Sequence, residues 1–171
     1  MDPENGLYGI NRKGLNECIG LAIRKTFSKI DEEYYVEREG RSNKCGSTAS
    51  LVCIVGVHIF CANVGDSRSI LCKKGKAVNL SLDHKASRPD EVARIKNNDG
   101  KIEFGRVGAK LAITRAFGDF EFKAFVDDEG QIFRKNFITS EPEIRRYDYN
   151  PFEDEFILIA SDGLFDNFTS Q

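Results

Sequence analysis

The chain has 171 residues, 40% of them hydrophobic and 30% charged, with a net charge of −2, which suits one soluble domain with a sizeable core. The charge balance and the lack of a sustained Lys/Arg run exclude a basic nucleic-acid surface. The acidic start Met1–Gly6 has no signal-peptide pattern, and the longest apolar stretch, Leu51 to Val64, falls short of the ~20 residues that span a bilayer. Five cysteines without framework spacing read as reduced thiols, with Cys53 and Cys61 as packing residues. The expected compartment is therefore cytoplasmic or nuclear, with no nucleic-acid and no membrane partner.

In chain order, residues from about Lys13 to Tyr35 have helical periodicity, with Leu15, Ile19, Ala22, Ile23, Phe27 and Ile30 on one stripe. Glu37 to Cys45 is charged and rich in small polar residues, hence a loop. A β-meander follows, with strands near Thr48–Val55, Val57–Val64, Ser67–Cys72 and Lys76–Leu80. Gly56, Gly65-Asp66 and Lys73-Lys74-Gly75 separate them, so the sheet is antiparallel.

Ser87-Arg88-Pro89-Asp90-Glu91 reads as a helix start, with a capping serine, proline in the first turn and acids facing the dipole. That helix turns Val92 and Ile95 inward and stops at Asn97–Gly100. Short strands are expected near Lys101–Phe104, Leu111–Thr114, Phe137–Ser140 and Phe156–Ser161. Phe120 to Lys135, with an Asp127–Gly130 turn, reads as a surface excursion. One helix, then mostly strands with a second helix, indicates an α+β fold.

Two strand ends carry carboxylates. The apolar run Phe156–Ala160 leads into Ser161-Asp162-Gly163, with Asp166 four residues on, and Ile59–Val64 leads into Gly65-Asp66-Ser67-Arg68. Strand-end aspartates from distant parts of a chain suit a hard divalent cation, because Mg²⁺ and Mn²⁺ prefer oxygen ligands. The plain alternative is that each aspartate only caps its own turn. Asp119 has the same two readings, and His58 and His84 read as structural. A Cys-x₅-Arg nucleophile is excluded, since Cys61 to Arg68 has one residue too many. A calcium loop from Asp162 fails because the sequence ends before the required glutamate.

Five segments, in order, resemble the metal-dependent type 2C protein serine/threonine phosphatases. They are Gly46-Ser47-Thr48-Ala49, Asn63–Arg68, Leu82-Asp83-His84-Lys85, Arg106-Val107 through Leu111–Asp119, and Ala160–Asp166. The resemblance implies an antiparallel β-sandwich flanked by helices, with the motif-bearing core at 46–166 and a single, partial domain over 1–171. It implies hydrolysis of phosphoserine and phosphothreonine with two Mg²⁺ or Mn²⁺ ions, which lower the pKa of a bridging water.

By motif, Asp162 is similar to the family's metal-bridging aspartate. Asp66 and Asp166 resemble carboxylates that complete a weaker metal position, and Arg106 matches an arginine at the substrate edge. The family's phosphate-binding arginine, its Asp-Gly-His-Gly-Gly-like motif with the general-acid histidine, and its closing Asp-Asn motif have no counterpart in these residues. The expectation is thus a fragment of a catalytic domain, or a shortened member acting as a pseudophosphatase or regulatory binding module. Either way, sheet edges that a complete domain covers are expected to be open to self-association or to a partner chain.

Overall fold

A computed structural model describes residues 12–37, 45–126, 132–134 and 137–171. Among them the elements run α1 (Arg12–Glu37), β1 (Gly46–Ser47), β2 (Ala49–Val55), β3 (His58–Val64), β4 (Arg68–Lys73), β5 (Lys76–Asn79) and α2 (Pro89–Lys96). Then come β6 (Ile102–Glu103), β7 (Arg106–Val107), β8 (Phe117–Gly118), a 3₁₀ turn (Phe120–Phe122), β9 (Ala124–Val126), β10 (Ile132–Arg134), β11 (Glu143–Asp148), β12 (Asp154–Ala160) and α3 (Asp162–Phe165). The fold is α+β.

Two three-stranded antiparallel sheets, in the orders β11-β3-β2 and β12-β4-β5, form the sandwich. β3 is apolar from Ile59 to Ala62 because both its faces are covered. Phe60, Ala62 and Val64 pack under Ile23 and Phe27 of α1, while Ile59 and Cys61 meet Leu71 and Leu80 between the sheets. Ser50 and Ser69 tie β2 to β4 across the sandwich at 2.7 Å between hydroxyl oxygens. A third core gathers Ile95 of α2 with Ala86, Val107, Ala116 and Ile138 beside the sheets.

Several expectations change. The α1 stripe is only partly used: Ile23 and Phe27 are buried, but Leu15 and Ile30 are exposed. Beside Ile30 the chain instead half-buries Asp31, whose carboxylate accepts from Lys123 Nζ and the Gly118 N–H, each at 2.8 Å. Ser87 is not the cap of α2; Arg88 holds the N-cap position without a side-chain cap, its guanidinium being drawn to Asp90 and Glu143. Glu91, rather than Val92, joins Ile95 as a buried residue of that helix.

Leu111–Thr114 and Phe137–Ser140 are not strands but make isolated bridges, Lys85 with Ile113 and Arg115 with Thr139. Phe120 is no surface residue, since it is buried against the rings of Tyr34 and Tyr35. The Asp127–Gly130 turn and residues 38–44 of the expected loop lie outside the described residues. No described helix is long and apolar enough to cross a membrane.

Candidate functional site

Strand pairing brings the two carboxylate-bearing ends together. β4 and β12 are antiparallel with Arg68 opposite Ala160. Asp66 precedes Arg68 by two residues and Asp162 follows Ala160 by two, so both leave the sheet at the same corner. Asp66 is largely enclosed, whereas Asp162 and Asp166 are exposed. Burial pushes the Asp66 carboxyl above its ordinary range, the Asp162 charge raises it further, and Lys85 opposes both.

Lys85 Nζ stands between two of the carboxylates, 3.9 Å from Asp66 Oδ2 and 3.8 Å from Asp166 Oδ1. Among the described residues no group of three or more His, Cys, Asp or Glu side chains is drawn together closely enough to hold a metal ion. Asp66 and Asp162 share the corner, while Asp166 joins Asp66 through the lysine. Arg106 lies on β7, where its Nη1 donates to the Lys110 carbonyl at 2.8 Å. Among the described residues no ion pair links it to the three carboxylates.

The turn carrying Asp66 is tightly built. Gly65 has φ +95°, and a Cβ there would run into the Thr48 side chain. Thr48 Oγ1 and Ser67 Oγ lie 2.7 Å apart, joining the Gly-Ser-Thr segment to the turn. Gly46 likewise has no room for a Cβ, because the Asp119 carboxylate fills that space. Asp119 itself is buried, with φ +50° and a carboxyl pushed upward by burial.

The family profile described as "Protein phosphatase 2C" matches residues 11–171. The chain belongs to the protein phosphatase 2C family. It is 40% identical over 148 residues to "Probable protein phosphatase 2C 7" of Oryza sativa subsp. japonica, covering 85% of this chain and 36% of the relative. It is 40% identical over 151 residues to "Protein phosphatase 2C homolog 3" of Schizosaccharomyces pombe, covering 88% and 35%. The chain thus spans about a third of the length of these curated relatives.

A solved serine-threonine phosphatase 2C from Toxoplasma gondii shares the fold, with a TM-score of 0.75 at 19% identity over 98% of this chain and 58% of that one. A C. elegans sex determining protein superposes with a TM-score of 0.71 at 25% identity, over 98% of this chain and 36% of that one.

Within this protein phosphatase 2C chain, Arg68 fixes the helix that carries Asp162. Its guanidinium grips Asp83 through two hydrogen bonds, at 3.0 and 2.8 Å, donates to Ser170 at 3.1 Å and stacks over the Phe165 ring at 4.6 Å. This two-pronged geometry favours arginine over lysine. Lys85, Arg68 and Asp83 escaped sequence reasoning as site residues, although the Leu82–Lys85 segment that supplies two of them stood out as a motif.

A second charged cluster lies under the segment Leu111–Asp119. Glu91, fully buried, accepts from Thr114 Oγ1 at 2.6 Å, Arg94 Nη2 at 2.7 Å and Arg115 at 3.0 and 2.6 Å. Burial acts to raise its carboxyl, but the donated hydrogen bonds outweigh it and bring it down to about 2. A cleft of about 280 Å³ opens nearby, lined in part by Arg24, Arg94, Arg115, Glu141 and Glu143. Its guanidinium groups are already committed, Arg24 to Glu141 and the other two to Glu91.

Proposed function

We propose that this chain forms the core of a metal-dependent phosphatase domain acting on phosphoserine and phosphothreonine in proteins, with Asp66, Asp162 and Asp166 as ligands of Mg²⁺ or Mn²⁺ and Arg106 at the substrate edge. The observation that carries this proposal is the β4–β12 register, which brings Asp66 and Asp162 to one corner of the sandwich, in a chain of the protein phosphatase 2C family. The donor set is oxygen only, which fits a hard cation. Bound there, such a cation would supply charge neutralisation and an activated water.

The protein's own residues prepare that corner. The β4–β12 register brings Asp66 and Asp162 to the same corner, the Arg68–Asp83 pair anchors α3, and Lys85 balances negative charge from Asp66 and Asp166. Lys85 is partly exposed and its contacts are long, so it competes weakly with a divalent ion.

The chain alone is a poor catalyst in this account, and a specific observation favours a second role as a regulatory binding module. Neither of its two histidines is placed as a general acid at the corner: His58 pairs with Asp148 at 2.8 Å, and His84 is fully buried. With excess Mn²⁺, only trace turnover of a phosphothreonine peptide is expected. Calorimetry should detect weak Mn²⁺ binding that falls at least about tenfold in Asp162→Ala. Equal Mn²⁺ affinity in the two proteins, or turnover that persists without Asp162, would contradict the proposed site. Brisk steady turnover by the wild type would remove the binding-module alternative.

Uncovered apolar surface supports a partner or self-association. Among the described residues β2 and β12 are edge strands, and Ile54 and Phe156 on them are 59% and 58% exposed, with Leu51, Leu158 and Ile159 also exposed. Each ~100 Å² of apolar area left in water forfeits roughly 2.5 kcal/mol, and open edges template further pairing. Light scattering should therefore show concentration-dependent association that weakens in an Ile54→Lys, Phe156→Lys double variant. A strictly monomeric wild type that binds no hydrophobic dye would contradict this.

A further inference from the structure

His84 grips the backbone on both sides of Gly65. Its ring Nδ1 accepts from the Gly65 N–H at 3.2 Å, and its own backbone N–H donates to the Gly65 carbonyl at 3.0 Å. Asn63 Nδ2 donates to the same carbonyl at 3.0 Å. The His84 carbonyl in turn accepts from the Thr114 N–H at 2.9 Å, so the grip is anchored in the third core. Gly65 immediately precedes Asp66, and its left-handed φ sets the direction in which that carboxylate leaves the sheet.

The ring is fully buried, and with Nδ1 accepting, the proton belongs on Nε2. Nε2 lies 3.3 Å from Glu143 Oε2 and has no hydrogen-bond partner among the described residues. Glu143 is itself held by Arg88, which also holds Asp90. A buried histidine whose ring hydrogen bond runs to the turn before Asp66 is an expensive way to fill space. An aliphatic residue would pack there without orienting anything.

We propose that His84 is a positioning residue for Asp66, holding the Gly65 peptide so that the Asp66 carboxylate faces Asp162 across the corner. This rests on the assignment of Asp66 as a metal ligand, and the two can fail separately. The hydrogen bond itself is read by NMR, as a through-bond ¹⁵N–¹⁵N coupling between the Gly65 amide and His84 Nδ1 and as slow Gly65 amide exchange. His84→Asn keeps an acceptor near the Nδ1 position, whereas His84→Gln and His84→Leu do not.

Mn²⁺ affinity is expected to fall about tenfold in His84→Gln and His84→Leu, and to return to within about threefold of wild type in His84→Asn, with slow Gly65 exchange restored in the last. A missing coupling in the wild type, or Gly65 and Asp66 amide signals unmoved by His84→Gln, would overturn the positioning role. Mn²⁺ affinity unaffected by Asp66→Asn would overturn the metal assignment alone, leaving the coupling and the exchange pattern to decide on His84. If His84→Leu does not fold, the coupling and the comparison of His84→Asn with His84→Gln still decide.

Discussion

Replacing Glu91 with glutamine is expected to destabilise the fold by about 3–5 kcal/mol, because it leaves two half-buried guanidinium groups without their fully buried counter-ion. Glu91 receives hydrogen bonds from Arg94, Thr114 and Arg115. It thereby ties α2 to the segment that reaches both Lys85 and Asp119. Glutamine keeps the size but brings an NH₂ group to face those donors. For a chain of this length the loss corresponds to a melting temperature lower by roughly 10 °C.

The pH dependence has a definite sign. A carboxyl held at about 2 in the fold, against an ordinary 4.5, contributes stability that is fully present above about pH 4.5 and is lost as pH falls toward 2. Thermal melts at pH 7 check the substitution. A Glu91→Gln protein within 1 kcal/mol of wild type would mean that the cluster contributes packing and not charge.

Acidification from pH 7 to pH 4 is expected to cost about 3 kcal/mol through His84 alone. Burial comes first among the causes that hold its imidazole down at about 4, and the positive charges of Arg115 and Arg88 add to it, against Glu91 and Glu143. The unfolded chain, titrating near 6.5, then binds the proton that the folded one refuses. Stability is therefore complete above about pH 6.5, falls as pH drops from there to about 4, and loses nothing further through this residue below that.

The Glu91 and Asp90 windows lie lower, since their carboxyls sit at about 2. Urea unfolding at a series of pH values separates the effects. The slope of stability against pH between 6.5 and 4.5 should flatten in His84→Asn, and an unchanged slope would show that the ring is not the group responsible.

Hydrophobic pattern and turn chemistry made the meander legible. β2 to β5 fall where alternating or continuous apolar runs end at turn residues, and Ile59 to Ala62 of β3 is unbroken apolar sequence because two layers cover it. What periodicity could not show is pairing between distant elements. Nothing local says that β12 lies beside β4, yet that register is what brings Asp162 to Asp66. The strand-end pattern raised those aspartates as candidates, and the resemblance tipped the choice from turn caps to metal ligands.

Acids paired inside the fold were invisible for a related reason. Glu91 in a first helical turn looks like a dipole partner, and Asp31 looks like a surface residue, until Arg115 and Lys123 arrive from far along the chain. Arg88 took the cap position from Ser87 in the same way, because Glu143 of β11 engages its guanidinium. His84 was legible as structural from its polar loop, but its bond to Gly65 depends on two loops meeting.

The most direct test of the shared carboxylate corner is paramagnetic broadening by substoichiometric Mn²⁺ in the ¹⁵N-labelled chain. Loss of amide signal should centre on residues 65–67 and 161–166, extend to Lys85, spare the exposed acids Asp148 and Glu155, and disappear in Asp162→Ala. Broadening spread evenly over the surface acids, or centred away from Asp66 and Asp162, would contradict the account.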